Sequence, residues 1–287
     1  TNLNNKKLNL YIALAAGLGL FLELSIIRLH SSYFQLFAYF KNISLLSCFL
    51  GLGIGYSLSN KKLISLSWVF PLVVLEILSL FLLKNTPLTA YMQNPISEQW
   101  AMGQSVARGF FHLTTIYIFL LSVFIFNALC FVPIGQLISK LMSVVKPLTA
   151  YSLNLIGSII GIVLFVFLSF LLTSPVIWII VGFIIYLFIF KKNYNNLLFS
   201  IFCVLILTIF LSYDLKSKKE TIYSPYQNIS VKHINSPYNP IVIQSSHLFY
   251  QAILNLSENL NFVRKNMVAD KRIYGEMMDV EHEREFY

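Results

Sequence analysis

The chain has 287 residues, 57% of them hydrophobic and only 11% charged, with a mean hydropathy of +0.71. Soluble domains carry about 25% charged residues, so this composition excludes an ordinary soluble protein and predicts an integral membrane one. The net charge of +9 lies entirely before Asp214, where twelve Lys and Arg meet only Glu23, Glu76 and Glu98; basic loops beside membrane spans make that pattern, and the absence of a basic cluster on the soluble part argues against a nucleic-acid partner.

Lys6 and Lys7 precede a first apolar run, Leu8 to Ile27, which lacks a cleavage site and is too long for a signal peptide. Glu23 lies inside it. An ionisable residue at membrane depth is a functional candidate, or else structural glue paired with a basic neighbour. Arg28 is a poor partner, because five residues turn a helix by roughly 140°. His30 to Lys41 reads as a polar-aromatic connection. The second span, Ile43 to Leu58, carries Gly51 and Gly55, a small-xxx-small pair that lets another helix approach closely. Gly51-x-Gly53 fails as a phosphate loop, since no strand precedes it.

The third span, Leu63 to Leu83, contains Pro71, where a kink is expected, and Glu76 near mid-depth. Glu76 either lines a cavity or is held neutral by burial. Asn85 to Arg108, with Pro87, Pro95 and Trp100, reads as an interfacial loop or short surface helix. The fourth span runs from Gly109 to about Phe131 and on past Pro133 to Lys140. Asn127 and Gln136 on it are candidates to hydrogen-bond across to Asn154.

The fifth span, Pro147 to Leu172, holds Tyr151, Ser152, Asn154 and Ser158, together with a second close-packing pair, Gly157 and Gly161. Polar groups and glycines on one helix predict a central place in the bundle. Ser174 and Pro175 leave room only for a tight turn. Val176 to Phe190 and Leu197 to Leu211 complete about seven transmembrane helices by the length criterion of roughly 20 residues. Cys48, Cys130 and Cys203 each lie in an apolar run and read as small hydrophobes.

At Tyr213 the composition changes. Ile229, Val231 and His233 alternate with Ser230, Lys232 and Ile234, which predicts a strand. Ile241 to Gln244 and Phe249 to Leu256 are two more, separated from the first by the turn signal Asn235-Ser236-Pro237-Tyr238-Asn239-Pro240. Tyr274 to Phe286 reads as a short amphipathic helix. The expected architecture is an all-α polytopic membrane bundle over 1–212, then a small β-rich segment with a short helix over 213–287. So small a segment barely buries a core alone, so it reads as the start of a domain.

Three stretches of the membrane half carry a resemblance. Pro147-Leu148-x-Ala150-Tyr151-Ser152-x-Asn154-x-x-Gly157-Ser158-x-x-Gly161 resembles a segment of the membrane region in bacterial membrane-fused spermidine synthase-like proteins. Glu23-Leu24 with Ile27-Arg28-Leu29, and Gly51-Leu52-Gly53-Ile54-Gly55-Tyr56, are similar to the same family. In the tail, Tyr223-Ser224-Pro225-Tyr226-Gln227-Asn228-Ile229-Ser230-Val231 resembles the strand that opens the small β-domain of spermidine synthases. Phe249-Tyr250-Gln251 resembles that domain's second marker, with His247-Leu248 where the family has Asp-Gly.

The resemblance implies that Gln227 and Gln251 face a cleft near a nucleoside substrate. It implies S-adenosylmethionine or its decarboxylated form as donor in the complete protein, and a polyamine or other amine as acceptor of an aminopropyl or methyl group. The family's Rossmann-like catalytic part needs a glycine-rich turn, and after Tyr213 the only glycine is Gly275. This stretch is therefore expected to contain no catalytic residues and to be inactive by itself. The implied location is the inner membrane with the tail in the cytoplasm, where adenosyl donors are. The loop charges disagree: with seven spans, Lys6-Lys7, Lys61-Lys62, Lys140 with Lys146, and Lys191-Lys192 share the side opposite the tail, which the positive-inside rule makes cytoplasmic. A re-entrant segment within Val176 to Leu211 would reconcile the two. A transporter or channel-like protein with a regulatory tail is the alternative, motivated by Glu23, Glu76 and the polar face of the fifth span.

Overall fold

The structure is a computed structural model that describes residues 2–33, 37, 41–84, 110–189, 194–216, 220–226, 228–233, 241–245 and 248–253. Among these residues it has seven α-helices: α1 (Asn2–Tyr33), α2 (Lys41–Ser57), α3 (Val69–Lys84), α4 (Phe110–Met142), α5 (Pro147–Phe170), α6 (Pro175–Ile189) and α7 (Tyr194–Lys216). A single 3-10 turn, Leu66–Trp68, leads into α3. The expected interfacial stretch from Asn85 to Arg108 and the helix from Tyr274 to Phe286 lie outside the described residues.

Each helix follows an apolar run, and prolines mark the starts of three of them. Pro147 opens α5 at its first turn, where the missing N–H costs nothing. Pro175 opens α6 in the same way. Pro71 also falls in the first turn of α3 rather than mid-helix, so the expected kink has no place to form. Pro133 is the exception, a proline inside α4. Between α5 and α6, Leu172 takes φ of 54°, reversing the chain, while Thr173 N–H donates to the Leu168 carbonyl. Trp178 Nε1 then donates to Thr173 Oγ1 at 2.9 Å, tying α6 to the turn.

Three segments are long and apolar enough to cross a membrane: Lys6–Ser32, Leu113–Met142 and Pro147–Phe170. Four apolar helices are shorter: Asn42–Ser57, Leu66–Phe81, Pro175–Ile189 and Asn196–Ser212. At about 1.5 Å per residue the 15-residue α6 falls short of the roughly 30 Å hydrocarbon core.

The bundle is centred on α1, which packs along α5 and touches α2, α3, α4 and α6. Of its most apolar stretch 61% is buried, against 22% for α5. The expectation of a central fifth span is thereby corrected. The buried residues of α5 are Ala150, Gly157, Gly161, Phe165 and Ser169, one narrow stripe that serves one main neighbour. Tyr151, Ile160, Val163 and Phe167 on its other faces are exposed.

The glycine pairs do mark close approaches. A Cβ on Gly157 would come within 2.6 Å of Ala13 Cα, and one on Gly161 would meet the backbone of Gly17 at 2.9 Å. On α2, Gly51 and Gly55 face the backbone of α4 at Ala128 and Val132, and Gly135 returns the contact at Leu52. Helix pairs α1–α5 and α2–α4 therefore meet backbone to backbone.

After α7 the chain forms a four-stranded antiparallel meander in the order β1 (Glu220–Tyr223), β2 (Asn228–His233), β3 (Ile241–Ser245) and β4 (Leu248–Ile253). Three of these strands match the expectation; β1 is additional, and too short at four residues for its alternation to stand out. The β3–β4 register breaks at Ile243/Gln244. The meander meets the helices where α1 ends and α6 begins. Arg28 Nη1 donates to the Pro225 carbonyl, and the Trp178 and Tyr223 rings lie edge-on, 6.3 Å between centroids.

Candidate functional site

Several polar groups of α1, α2, α3 and α4 converge on one buried cluster. His30 does not lie in a connection as expected, because α1 continues to Tyr33. Its position seven residues after Glu23 puts both on one face of α1, about 10 Å apart along the axis. His30 Nδ1 lies 2.7 Å from Ser44 Oγ on α2. Its Nε2 lies 3.1 Å from Glu76 Oε1 on α3, with both side chains at most 1% exposed. The two atoms are at ion-pair distance but are not aligned as a hydrogen bond. It is the one ion pair among the described residues. The ring of Phe37 covers the imidazole, 5.0 Å between centroids.

Asn127 on α4 closes the cluster from the far side. Its Nδ2 donates to Ser47 Oγ at 2.6 Å and the Ser44 carbonyl at 3.1 Å, and lies 3.3 Å from Cys48 Sγ. Cys130, one helical turn on, points its thiol at Glu76 Oε2 from 3.8 Å. Asn127 Oδ1 is buried without a hydrogen-bond partner, and so is Glu23 Oε2. Glu23 is 2% exposed, while Arg28 turns away from it towards Pro225.

Two expected pairings are corrected. Neither Asn127 nor Gln136 bonds to Asn154. Asn127 is taken by α2, as above. Gln136 stitches the connection between α2 and α3: Nε2 donates to the carbonyls of Leu58 and Lys62, at 2.8 and 3.1 Å, and Oε1 accepts from Ile64 N at 2.7 Å. Asn154 instead accepts a 3.5 Å contact from Tyr56 OH. The reason is the α2–α4 approach at Gly51, Gly55 and Gly135, which puts the long side chains of α4 within reach of α2 and its following loop, while Asn154 sits on the peripheral α5.

Of the intramembrane candidates, then, Glu76 and Asn127 share a site, Glu23 lies two turns away, and Asn154 stands apart. His30, Ser44 and Ser47 were not singled out from the sequence. The Glu23-to-His30 heptad spacing, and Ser44, Ser47 and Cys48 on one helix face, are the signals that point to them. Gln251 lies in β4 with Ile243 as its Cα partner across the sheet; Gln227 lies outside the described residues. Among the described residues no three His, Cys, Asp or Glu side chains are grouped to hold a metal ion.

The fold and cluster define a helical bundle with a dry polar interior and a β-meander docked at one end. Comparisons with known protein families, curated proteins and solved structures returned no match.

Proposed function

We propose that this chain is the membrane-embedded domain of a spermidine synthase-like transferase, together with the opening of its soluble domain. In the complete protein the donor is S-adenosylmethionine or its decarboxylated form, and the acceptor is a polyamine or another amine. The carrying observation is where the family-like segment sits. Its Ser224-Pro225-Tyr226 portion forms the turn between β1 and β2, held at the end of α1 by the Arg28 bond to Pro225. A β-domain opening directly on the helical bundle is the arrangement that the fused family's motif order calls for. The test is transfer of label from both donors to putrescine-type amines by the full reading frame carrying this chain. Labelled amine that falls when Gln251 is replaced by Ala supports the reading; no transfer from either donor overturns it. The present chain by itself, lacking a glycine-rich turn, is expected to give no turnover above blank.

In this reading all seven helices cross the bilayer, the four shorter ones thinning it or extending through their flanking residues. The Arg28–Pro225 bond joins the carboxyl end of α1 to the segment after α7, so the tail lies opposite Lys6-Lys7. With the donors in the cytoplasm, the tail lies there and the amino terminus outside, against the loop charges. A re-entrant segment within Val176 to Leu211, where the two shorter helices α6 and α7 lie, would reconcile the two.

A second reading, a transporter or channel-like protein with a regulatory tail, is favoured by the buried His30–Glu76 pair. Solute flux in reconstituted vesicles, lost on replacing Glu76, distinguishes it from the transferase.

A further inference from the structure

The cluster has a property that neither reading of the function requires. His30, Asn127 and Ser47 are 0% exposed, Glu76 1% and Ser44 2%. A side chain at zero accessible area is touched by no water-sized sphere, inside the protein or out. Among the described residues the packing leaves no room here for a solute or a hydrated cation. The one ligand that needs no volume is a proton.

The geometry assigns it a place. His30 Nδ1 faces the Ser44 hydroxyl, and Nε2 faces Glu76 Oε1. Without a proton on the pair, the Glu76 carboxylate would lie 3.1 Å from a neutral imidazole, a buried charge with no compensation in a dry site. With one proton the pair is neutral, whether written as imidazolium with carboxylate or imidazole with carboxylic acid. A second proton would leave a buried positive charge, and the loss of the first a buried negative one. No counter-charge is at hand among the residues whose side chains are described. From α1 the nearest titratable group is Glu23; α2 brings Cys48 and α4 Cys130. From α7 comes Cys203, buried on that helix. From α6 comes Tyr186, whose hydroxyl is 3.1 Å from Ser200 Oγ. None of these is a cation, and Arg28 is engaged at Pro225.

We infer that the His30–Glu76 pair is a proton-binding site, and that the bundle exchanges this one proton with water only when α3 parts from α1 and α2. On release, the N–H or O–H bond breaks, its electron pair stays on the pair, and the proton passes to water admitted by the opening. Exchange is thus tied to a movement of the helices, because the described residues bury His30 fully and Glu76 to within 1%. The inference holds for a transferase or a transporter alike, and its test reads protons rather than activity.

Two measurements decide it. The first unfolds the purified full chain in weakly buffered detergent at alkaline pH, with an indicator dye counting protons. The unmodified chain is expected to release one more proton than Glu76→Gln, in which a neutral imidazole faces an amide. Equal release overturns the inference. The second needs no folded variant. In nitrogen-15 spectra of the unmodified chain in lipid vesicles, solvent deuterium should enter the imidazole of His30 at least tenfold more slowly than any exposed histidine. Entry at the same rate would mean that the site is open to water and would equally overturn it.

Discussion

Among the described residues His30 Nε2 and Glu76 Oε1 have only each other within ion-pair distance, and this governs how substitutions there behave. Replacing one member of a buried ion pair leaves the other uncompensated, at a typical cost of about 3–5 kcal/mol. His30→Leu or Glu76→Leu should therefore lower stability in detergent by that order. The double substitution should recover part of the loss, because it leaves no uncompensated charge. A denaturant titration of all four chains measures the coupling; simple additivity would mean that the pair does not interact. Asn127→Ala removes the two hydrogen bonds from Nδ2 to the Ser47 hydroxyl and the Ser44 carbonyl, which keep their 2.7 Å bond to each other, and should cost about 1–3 kcal/mol. Glu76 and Asn127 stand out in the sequence because polar residues are rare in apolar runs. His30 does not, because it lies beyond Arg28, where the apolar pattern of the first run has already ended. Only the continuation of α1 by another turn brings it under Phe37 and against Ser44.

Helices meet through backbone stripes, and these stripes sort substitutions by face rather than by residue size. Gly157→Leu should cost far more stability than Val163→Leu, although both place a leucine on α5. At Gly157 the new side chain runs into Ala13 of α1, whereas Val163 is 59% exposed on the outer face. Thermal unfolding in detergent decides between them; equal midpoints would mean that α5 does not rest on α1 through this stripe. On the same grounds Gly51→Leu should separate α2 from α4 and loosen the hold of Asn127 on Ser44 and Ser47. Helix positions and the glycine pairs were readable from spacing alone, because apolar runs and small-xxx-small patterns are local. Which helix receives each stripe was not. Gly157 and Gly161 are matched by Ala13 and Gly17, and nothing in the spacing of α5 names α1. The narrowness of the stripe, which makes α5 peripheral, is also invisible from composition, because lipid-facing and protein-facing apolar residues look alike.

The whole molecule has a polarity of its own, with the amino terminus at one end and the sheet at the other. Its three described cysteines are all buried, so the chain should offer almost no thiol background to a membrane-impermeant reagent. Cysteines introduced at Asn5 and at the exposed Tyr226 are expected to be labelled from opposite sides of intact vesicles, Tyr226→Cys only from the cytoplasmic one. Labelling of both from one side would contradict the Arg28–Pro225 contact. Labelling of Tyr226→Cys from outside would preserve that contact but remove the donor supply that the transferase reading needs.

The pairing of Ala13 and Gly17 with Gly157 and Gly161 also sets a timetable for assembly. Helix α1 finds its closest neighbour, α5, only after the three helices between them have been synthesised. At about 5–20 residues per second, that wait is on the order of ten seconds. For that interval α1 enters the membrane with a bare backbone groove, and His30 waits for Glu76 until α3 is made. The newborn chain must be shielded by lipid or by the insertion machinery until its fifth helix arrives.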